Sequence, residues 1–178
     1  TDNANNTTTH TSFGSTEENV SYRFAPMYQP NDHSTYYVLR SNSYLLSSSI
    51  NTDVADEFNA PNSLTKNENI NSEIGAKWEL FDSALSLRTA FFRLDKKAKK
   101  NGVGISEKRS EGFEFEANGS LTNKLDIFTS ITLMKSKIVR QDNFIWAENS
   151  PITATPKFSG TVWTNYKLTP KFRIGLGA

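Results

Sequence analysis

The feature that most constrains the fold of this 178-residue chain is an alternation of apolar and polar side chains with a period of two. The segment 71–81 shows it clearly. Its apolar positions are Ile74, Ala76, Trp78 and Leu80, and charged residues or glycine lie between them. A helix would scatter these residues around its circumference, whereas a strand places them on one face. The pattern therefore predicts a β-strand.

The same alternation recurs along the chain and predicts an all-β fold of eight strands. The predicted strands cover residues 20–28, 35–49, 71–81, 85–91, 113–121, 124–140, 158–168 and 172–178. Tight turns are predicted near 29–34, 81–84, 121–124 and 168–171. Long connections are predicted near 50–69, 97–111 and 141–156. Hairpins that are tight at one end and open at the other describe an antiparallel up-and-down sheet, and transmembrane β-barrels have this asymmetry.

Composition excludes several classes of protein. Hydrophobic residues make up 36% of the chain, mean hydropathy is −0.56, and no stretch approaches the roughly 18 apolar residues of a transmembrane helix. A membrane barrel remains possible, because only every second residue of its strands faces lipid. The net charge of +1 gives no support for nucleic-acid binding. The chain has no cysteine, which excludes disulfides and thiol catalysis.

Periodicity alone does not say which face is outside, so a soluble β-barrel or sandwich stays open as an alternative. Three features favour the membrane. The segment 124–140 is longer than the roughly 9–11 residues that a membrane strand needs. The polar faces carry full charges that a wet lumen tolerates. Aromatic residues lie near the tight-turn ends, as in an interfacial girdle: Tyr28, Tyr36, Tyr37, Phe81, Tyr166 and Phe172.

Four motifs then follow one another in a specific order. The first is the Tyr-Gln-Pro of 28–30, before a tight turn. The second is Glu-x-Gly-x-Lys at 73–77, and the third is Gly-x-Glu-x-Glu at 112–116. The last is Thr-Pro at 155–156 followed by Trp-x-x-Tyr-x-Leu at 163–168. In this order, over roughly 20–178, the chain resembles the barrel domain of TonB-dependent outer-membrane siderophore receptors, with the catecholate-type receptors closest.

The resemblance implies a location and a function. It implies a multi-pass barrel in the outer membrane of a Gram-negative bacterium that takes up ferric siderophores. Residues 1–18 would form an extracellular loop or disordered tail, and 19–178 would form a barrel segment without its plug domain. Because the chain starts without a plug and reaches Ala178 inside an alternating run, we expect a part of a larger receptor.

Partners follow from the same resemblance. They are the ferric siderophore, outer-membrane lipid with lipopolysaccharide, and the TonB–ExbB–ExbD complex through the missing plug; no nucleic acid is expected. Iron would be present only as substrate, with no bound cofactor. Two alternatives stay open: a small eight-stranded outer-membrane barrel with an adhesive or structural role, and a soluble ligand-binding barrel.

Candidate ligand-binding residues lie at the predicted long connections. Cations would attract an anionic ferric chelate and aromatic rings would stack on it, although a solvated loop tip explains the same residues. The candidates are Lys97, Lys99, Lys100, Lys108, Arg109, Arg140, Phe144 and Trp146. Charged residues on the polar strand faces are candidates for the lumen wall: Glu73, Lys77, Arg88, Glu114 and Glu116.

No catalytic arrangement is recognisable, so the chain is not predicted to be an enzyme. The two histidines, His10 and His33, are far apart in sequence and do not predict a metal site. The chain has neither a Gly-x-Ser-x-Gly nucleophile motif nor a glycine-rich phosphate loop. Glu114 and Glu116 lie two residues apart on one strand face, which we interpret as carboxylates facing water rather than an acid–base pair.

Overall fold

The computed structural model describes residues 18–46, 65–100, 104–142, 148–152 and 155–178. These residues form one antiparallel sheet without helices, so the predicted all-β class is confirmed. The strands are β1 (Arg23–Phe24), β2 (Met27–Asn31), β3 (Ser34–Leu46), β4 (Thr65–Leu80), β5 (Leu85–Lys100), β6 (Gly104–Thr122), β7 (Leu125–Gln141), β8 (Phe158–Thr169) and β9 (Phe172–Gly177).

The sheet has the predicted up-and-down topology. Its order is β1-β3-β4-β5-β6-β7-β8-β9, and β2 also pairs with β3. The first predicted strand is divided into β1 and β2 around Pro26, so eight predicted strands become nine. Proline has no N–H to donate to a ladder, which explains an interruption at this position.

The register places the apolar side chains of neighbouring strands side by side. Val38 pairs with Ile74, Ile74 with Phe91, Phe91 with Phe113, and Phe113 with Leu133. We call the surface that carries this row the apolar face, and the opposite surface, which carries Glu73 and Arg88, the polar face. Phe91 and Phe113 make a tilted ring contact with centroids 5.0 Å apart.

The sheet forms a single layer in which the largest apolar side chains stay uncovered. Among the described residues, no large side chain is fully buried. Ala90, with 1% of its surface exposed, is a small residue between strands, whereas Ile74 and Phe91 are 58% and 63% exposed. A water-soluble sheet would bury such a continuous apolar surface, and in a transmembrane barrel lipid covers it.

Side-chain oxygens shape most of the tight turns, which lie where the sequence predicts them. Asn31 Oδ1 accepts from the His33 backbone N–H at 2.9 Å. Thr122 Oγ1 accepts from Lys124 N–H at 3.2 Å, and Thr169 Oγ1 from Lys171 N–H at 3.3 Å. The turn at 81–84 differs, because three consecutive non-glycine residues in it have positive φ angles of 56°, 53° and 65°. Left-handed backbone is unfavourable for residues with a Cβ atom.

The predicted long connection at 97–111 is wrong. β5 and β6 stay paired as far as Lys100 and Gly104, which leaves only 101–103 outside the described strands. Ion pairs hold this charged extension: Lys97 Nζ lies 3.7 Å from Glu107 Oε1, and Arg109 Nε lies 2.7 Å from Asp95 Oδ1. In a transmembrane barrel, a strand that extends beyond the bilayer needs no apolar face, so its charged sequence is easily mistaken for a loop. For the same reason β4 starts at Thr65 and not after residue 69.

The predicted connection at 141–156 is confirmed, and part of it returns along β7. Ile138 N–H donates to the Ser150 carbonyl at 2.9 Å, and Met134 N–H donates to the Lys157 carbonyl at 2.9 Å. The edge of β7 is thereby covered before β8 begins. Most of the predicted connection at 50–69, and the predicted tail at 1–18 except Glu18, lie outside the described residues.

Substituting Ser83 by glycine tests the strained turn. Glycine adopts positive φ without the steric cost of a Cβ atom, so Ser83→Gly should raise the free energy of unfolding by about 1 kcal/mol. The measurement is urea unfolding of the detergent-solubilised protein, followed by tryptophan fluorescence. Ser130→Gly, inside β7, is the matched control and should lower stability. Equal effects of the two substitutions would contradict the assignment of strain to this turn.

Candidate functional site

A network of charged and polar side chains crosses four successive strands on the polar face. Arg88 of β5 lies at its centre: its Nη2 is 3.2 Å from Glu73 Oε1 on β4, and its Nη1 is 3.6 Å from Glu116 Oε2 on β6. Arg88 Nε also donates to Tyr37 Oη on β3 at 3.4 Å. The Tyr37 hydroxyl in turn donates to Glu73 Oε1. We call these four residues the Arg88 network.

Burial differs within the Arg88 network. The Glu73 side chain is 11% exposed, whereas those of Arg88 and Glu116 are 38% and 48% exposed. Glu73 therefore depends on Arg88 and Tyr37 to compensate its charge, because an unpaired carboxylate with so little contact with water is costly. The network links four strands and leaves one carboxylate in excess on this part of the polar face.

Gly75 explains how the Arg88 network fits together. Tyr37 and Gly75 are register partners, and a Cβ atom built on Gly75 would collide with the Tyr37 phenol ring. The glycine lets the ring lie across β4, where its hydroxyl reaches Glu73. The glycine of the Glu-x-Gly-x-Lys motif thus has a packing reason, since only a residue without a side chain leaves this space.

The structure places all five predicted lumen residues on one face. Lys77, Arg88 and Glu116 occupy one register row, and Glu114 lies opposite Ala90 in the next row of that face. Only Glu73, Arg88 and Glu116 are in contact. Lys77 and Glu114 form no ion pair with any described residue.

The predicted loop cations are not brought together into one cluster. Lys97, Arg109 and Arg140 continue the rows of the apolar face, and each already has a carboxylate partner. Arg140 Nε, for example, lies 2.9 Å from Asp142 Oδ1. Lys108 continues the polar face, where it is the register partner of Lys96.

The other loop candidates are placed only in part. Lys99 and Lys100 take strand positions opposite Ile105 and Gly104. Phe144 and Trp146 lie outside the described residues.

Sequence reasoning missed a second polar group on the same face, near the tight turns. Asp126 accepts a hydrogen bond from Ser120 Oγ at 2.6 Å and lies 3.8 Å from Lys167 Nζ. Trp163 Nε1 donates to Asn165 Oδ1 at 3.3 Å beside it. The signal available in the sequence was the position of Asp126 and Lys167 on polar strand faces. Their partnership depends on the register between β7 and β8.

Asp142 links β6 and β7 at the end of their hairpin that is remote from the tight turn. Its carboxylate accepts from Arg140 Nε at 2.9 Å and from Ile105 N–H at 3.1 Å, and its own N–H donates to the Ile105 carbonyl at 2.9 Å. The Arg140 hydrogen bond, followed by that from Ile105, holds the pKa of the Asp142 carboxyl below its ordinary value. We call Asp142 and Ile105 the hairpin clamp.

No group of three or more His, Asp or Glu side chains in the described ranges is arranged to hold a metal ion. Within those same ranges no helix is long and apolar enough to cross a membrane.

Comparison with known proteins identifies the family. The model of the family described as TonB dependent receptor-like, beta-barrel matches residues 1–178. The chain therefore belongs to the TonB-dependent receptor family, and the sheet is part of its β-barrel.

Curated relatives are receptors of this family. The chain is 27% identical to the probable TonB-dependent receptor BfrD of Bordetella pertussis, over 92% of this chain and 23% of that protein. It is 28% identical to the probable TonB-dependent siderophore receptor PiuA of Acinetobacter baumannii, over 89% of this chain and 24% of that protein. It is 31% identical to the catecholate siderophore receptor Fiu of Escherichia coli K12, over 60% of this chain and 15% of that protein. The chain spans about a quarter or less of the length of these relatives.

Solved structures support the fold. The crystal structure of the ferric-catecholate import receptor Fiu from Escherichia coli K12, in its closed form, matches with a TM-score of 0.72 and 24% identity. That match covers 88% of this chain and 24% of the other. Pseudomonas aeruginosa FpvA bound to a heterologous pyoverdine matches with a TM-score of 0.65 and 18% identity, over 87% of this chain and 22% of the other.

Removing the central cation tests the Arg88 network. Arg88→Met leaves the mostly buried Glu73 carboxylate without its cation, and should lower the free energy of unfolding by about 1–3 kcal/mol. Arg93→Met is the matched control: Arg93 is exposed, and its partner Asp95 keeps Arg109, so the loss should stay below about 0.5 kcal/mol. The measurement is urea unfolding in detergent. Adding Glu73→Gln to Arg88→Met should recover part of the loss, and equal losses for the two arginines would contradict the argument.

Acid should open the hairpin clamp only at low pH. Because the pKa of Asp142 is lowered in the folded state, its contribution is fully present above the unfolded value of about 3.9 and is lost as pH falls through the lower folded value. The measurement is hydrogen exchange of the Ile105 amide, corrected for intrinsic rates. Protection should be constant from neutral pH to about pH 4 and absent in Asp142→Ala throughout. Loss of protection between pH 5 and 7 would contradict this assignment.

Proposed function

We propose that this chain is part of the barrel wall of an outer-membrane receptor that imports ferric siderophores with energy from the TonB–ExbB–ExbD complex. The observation that carries the proposal is the family match over 1–178, together with relatives named as siderophore receptors. The relative Fiu, a catecholate siderophore receptor, supports an anionic catecholate chelate as the substrate class. Iron enters this proposal only as part of the substrate.

On the polar face of such a receptor, one group of residues would stabilise the barrel wall and another would contact the substrate. In a transmembrane barrel the surface opposite the lipid lines the lumen. The Arg88 network, with its excess carboxylate, would repel an anionic chelate and is better suited to fixing the wall. A contact for the chelate is therefore expected elsewhere on this face.

Lys96 and Lys108 supply such a contact. They are register partners on the polar face, near the end of the sheet remote from the tight turns. Both are exposed, and neither forms an ion pair with a described residue. Two adjacent uncompensated cations attract an anion and raise its rate of association. We infer that Lys108, with Lys96, contacts the incoming chelate.

Growth under iron limitation tests the proposal in the full-length receptor. A strain without the receptor should not grow on the ferric tris-catecholate complex as sole iron source, and growth should return with the intact gene when TonB is present. Radiolabelled iron uptake gives the rate. If neither catecholate nor hydroxamate complexes are bound or imported, the proposed function is wrong.

The lysine pair has its own test. Lys96→Gln/Lys108→Gln should slow association of the ferric tris-catecholate about tenfold at low salt, with a smaller difference at high salt, because the effect is electrostatic steering. Lys124→Gln/Lys171→Gln removes the same charge at the tight turns and should change association less than twofold. Equal slowing by both pairs would rule out a local contact at Lys96 and Lys108.

A further inference from the structure

The indole ring of Trp163 forms an oriented aromatic surface on the polar face, toward the tight turns. A Cβ atom built on Gly175 would lie 2.7 Å from Cζ2 of the indole, and one built on Gly177 would collide with Cε3. These atoms lie at opposite corners of the six-membered ring, so the ring spans both glycines and rests on the backbone of β9. Trp163 Nε1 donates to Asn165 Oδ1 at 3.3 Å, which fixes the orientation of the ring. Trp163 is nevertheless 47% exposed, because the other side of the ring is uncovered.

Phe128 enlarges this aromatic surface. It is the register partner of Trp163 on β7, lies on the same face and is 46% exposed. We call Phe128 and Trp163 the aromatic pair. A cavity of about 410 Å³ lies beside it, and its lining includes Asn118, Asp126, Phe128, Trp163, Asn165 and Lys167. Aromatic walls with a few polar groups are typical of sites for small ligands.

Positive charge lies next to the aromatic pair, on the side of the tight turns. Lys167 and Arg173 are register partners on the polar face. Lys167 Nζ is 3.8 Å from Asp126 Oδ2, whereas Arg173 is exposed and has no carboxylate partner among the described residues. Two cations therefore face one carboxylate, and the excess charge is positive. Aromatic rings beside cations are complementary to an anion that itself contains aromatic rings.

The aromatic pair is too far from Lys96 and Lys108 for one chelate to contact both places. Lys96 and Ser86 lie at opposite ends of a stretch of β5 that is about 34 Å long, at about 3.4 Å per residue. Ser86 shares a register row with the aromatic pair through Asn118. Between these levels the polar face carries the Arg88 network, whose excess carboxylate repels anions. An anionic chelate moving along this wall thus meets positive charge, then negative charge, and then the aromatic pair with positive charge again.

We propose that the aromatic pair, with Lys167 and Arg173, forms a second binding site for a ferric catecholate chelate, which the chelate occupies before it leaves the barrel. Tight turns lie on the periplasmic side of outer-membrane barrels, so this site is on the exit side of the wall. Trp163 stacks on a catecholate ring, and the two cations attract the chelate once it has passed the carboxylates. This inference rests on the proposed function and adds a contact that follows the one at Lys96 and Lys108.

Photocrosslinking in the full-length receptor tests whether the chelate reaches this site. Phe128 is replaced by p-benzoylphenylalanine, and the cells take up a ferric tris-catecholate complex radiolabelled on its organic ligand. Irradiation during uptake should attach the label to the receptor in cells with TonB. Cells without TonB should show far less label, because the chelate is not moved to the exit side. The control replaces Tyr166, which is on the apolar face of β8, by the same photoreactive residue and should give no label above background.

Uptake kinetics test whether the contact matters for transport. Trp163→Leu keeps an apolar side chain but removes the stacking surface, and should lower the rate of TonB-dependent uptake about tenfold. Equilibrium binding of the chelate to cells without TonB should change less than about twofold, because Lys96 and Lys108 are intact, and this binding shows that the variant is folded. Tyr166→Leu removes an aromatic ring from the apolar face of the same strand and should leave both quantities unchanged.

Several outcomes would overturn the second site. One is the absence of label at position 128 in cells that import the chelate at the wild-type rate. Another is an unchanged uptake rate in Trp163→Leu, or an equal loss in Tyr166→Leu. A loss of equilibrium binding as large as the loss of uptake rate would place Trp163 in entry or folding and not in exit. If the wild-type receptor imports no catecholate chelate, the proposed function itself fails, so the two failures are distinguishable.

Discussion

The strand register is the constraint on which the rest of this structure depends. Successive side chains of a strand point to opposite faces, so a slip by one residue would exchange the two faces of that strand. In β5 such a slip would move Arg88 toward lipid and Phe91 toward the lumen. Both displacements are unfavourable, the first because a charge would leave water and the second because an apolar surface would lose its lipid contact. The register of the long strands is therefore fixed by the contrast between lipid on one face of the sheet and water on the other.

Position along the strand then decides what a charged residue does. At the level of the apolar rows, charges occupy the polar face, where Arg88 compensates Glu73. Beyond that level charges occupy both faces, and cross-strand pairs such as Lys97 with Glu107 keep the strands together without an apolar surface. Between the two levels lies a row of mixed charge, in which Arg93 keeps Asp95 as its partner: Arg40, Ser72, Arg93, Glu111 and Lys135. The same residue types thus serve in the wall and in its charged extension.

The sequence predicted the tight turns well and the charged extension poorly. At Asn31 and Thr122 a side-chain oxygen accepts from a nearby backbone N–H, which is a local interaction that a few residues encode. The 97–111 segment carries no such local signal. It is held as strand by partners about ten residues or more apart in sequence, such as Asp95 and Arg109, so its charges alone indicated a loop. Long-range pairing overrode the local preference.

By itself, the sequence determined that the chain forms strands, and which residues of a strand share a face, because the alternation of side chains is a property of the local backbone. Only the tertiary structure decided which residues of different strands lie side by side. It placed the Tyr37 ring over Gly75, put Arg88 between Glu73 and Glu116, and aligned Arg40 with Lys135 across three intervening strands. These contacts depend on the register between strands that are distant in sequence, and register is set by the packing of the whole sheet between lipid and water.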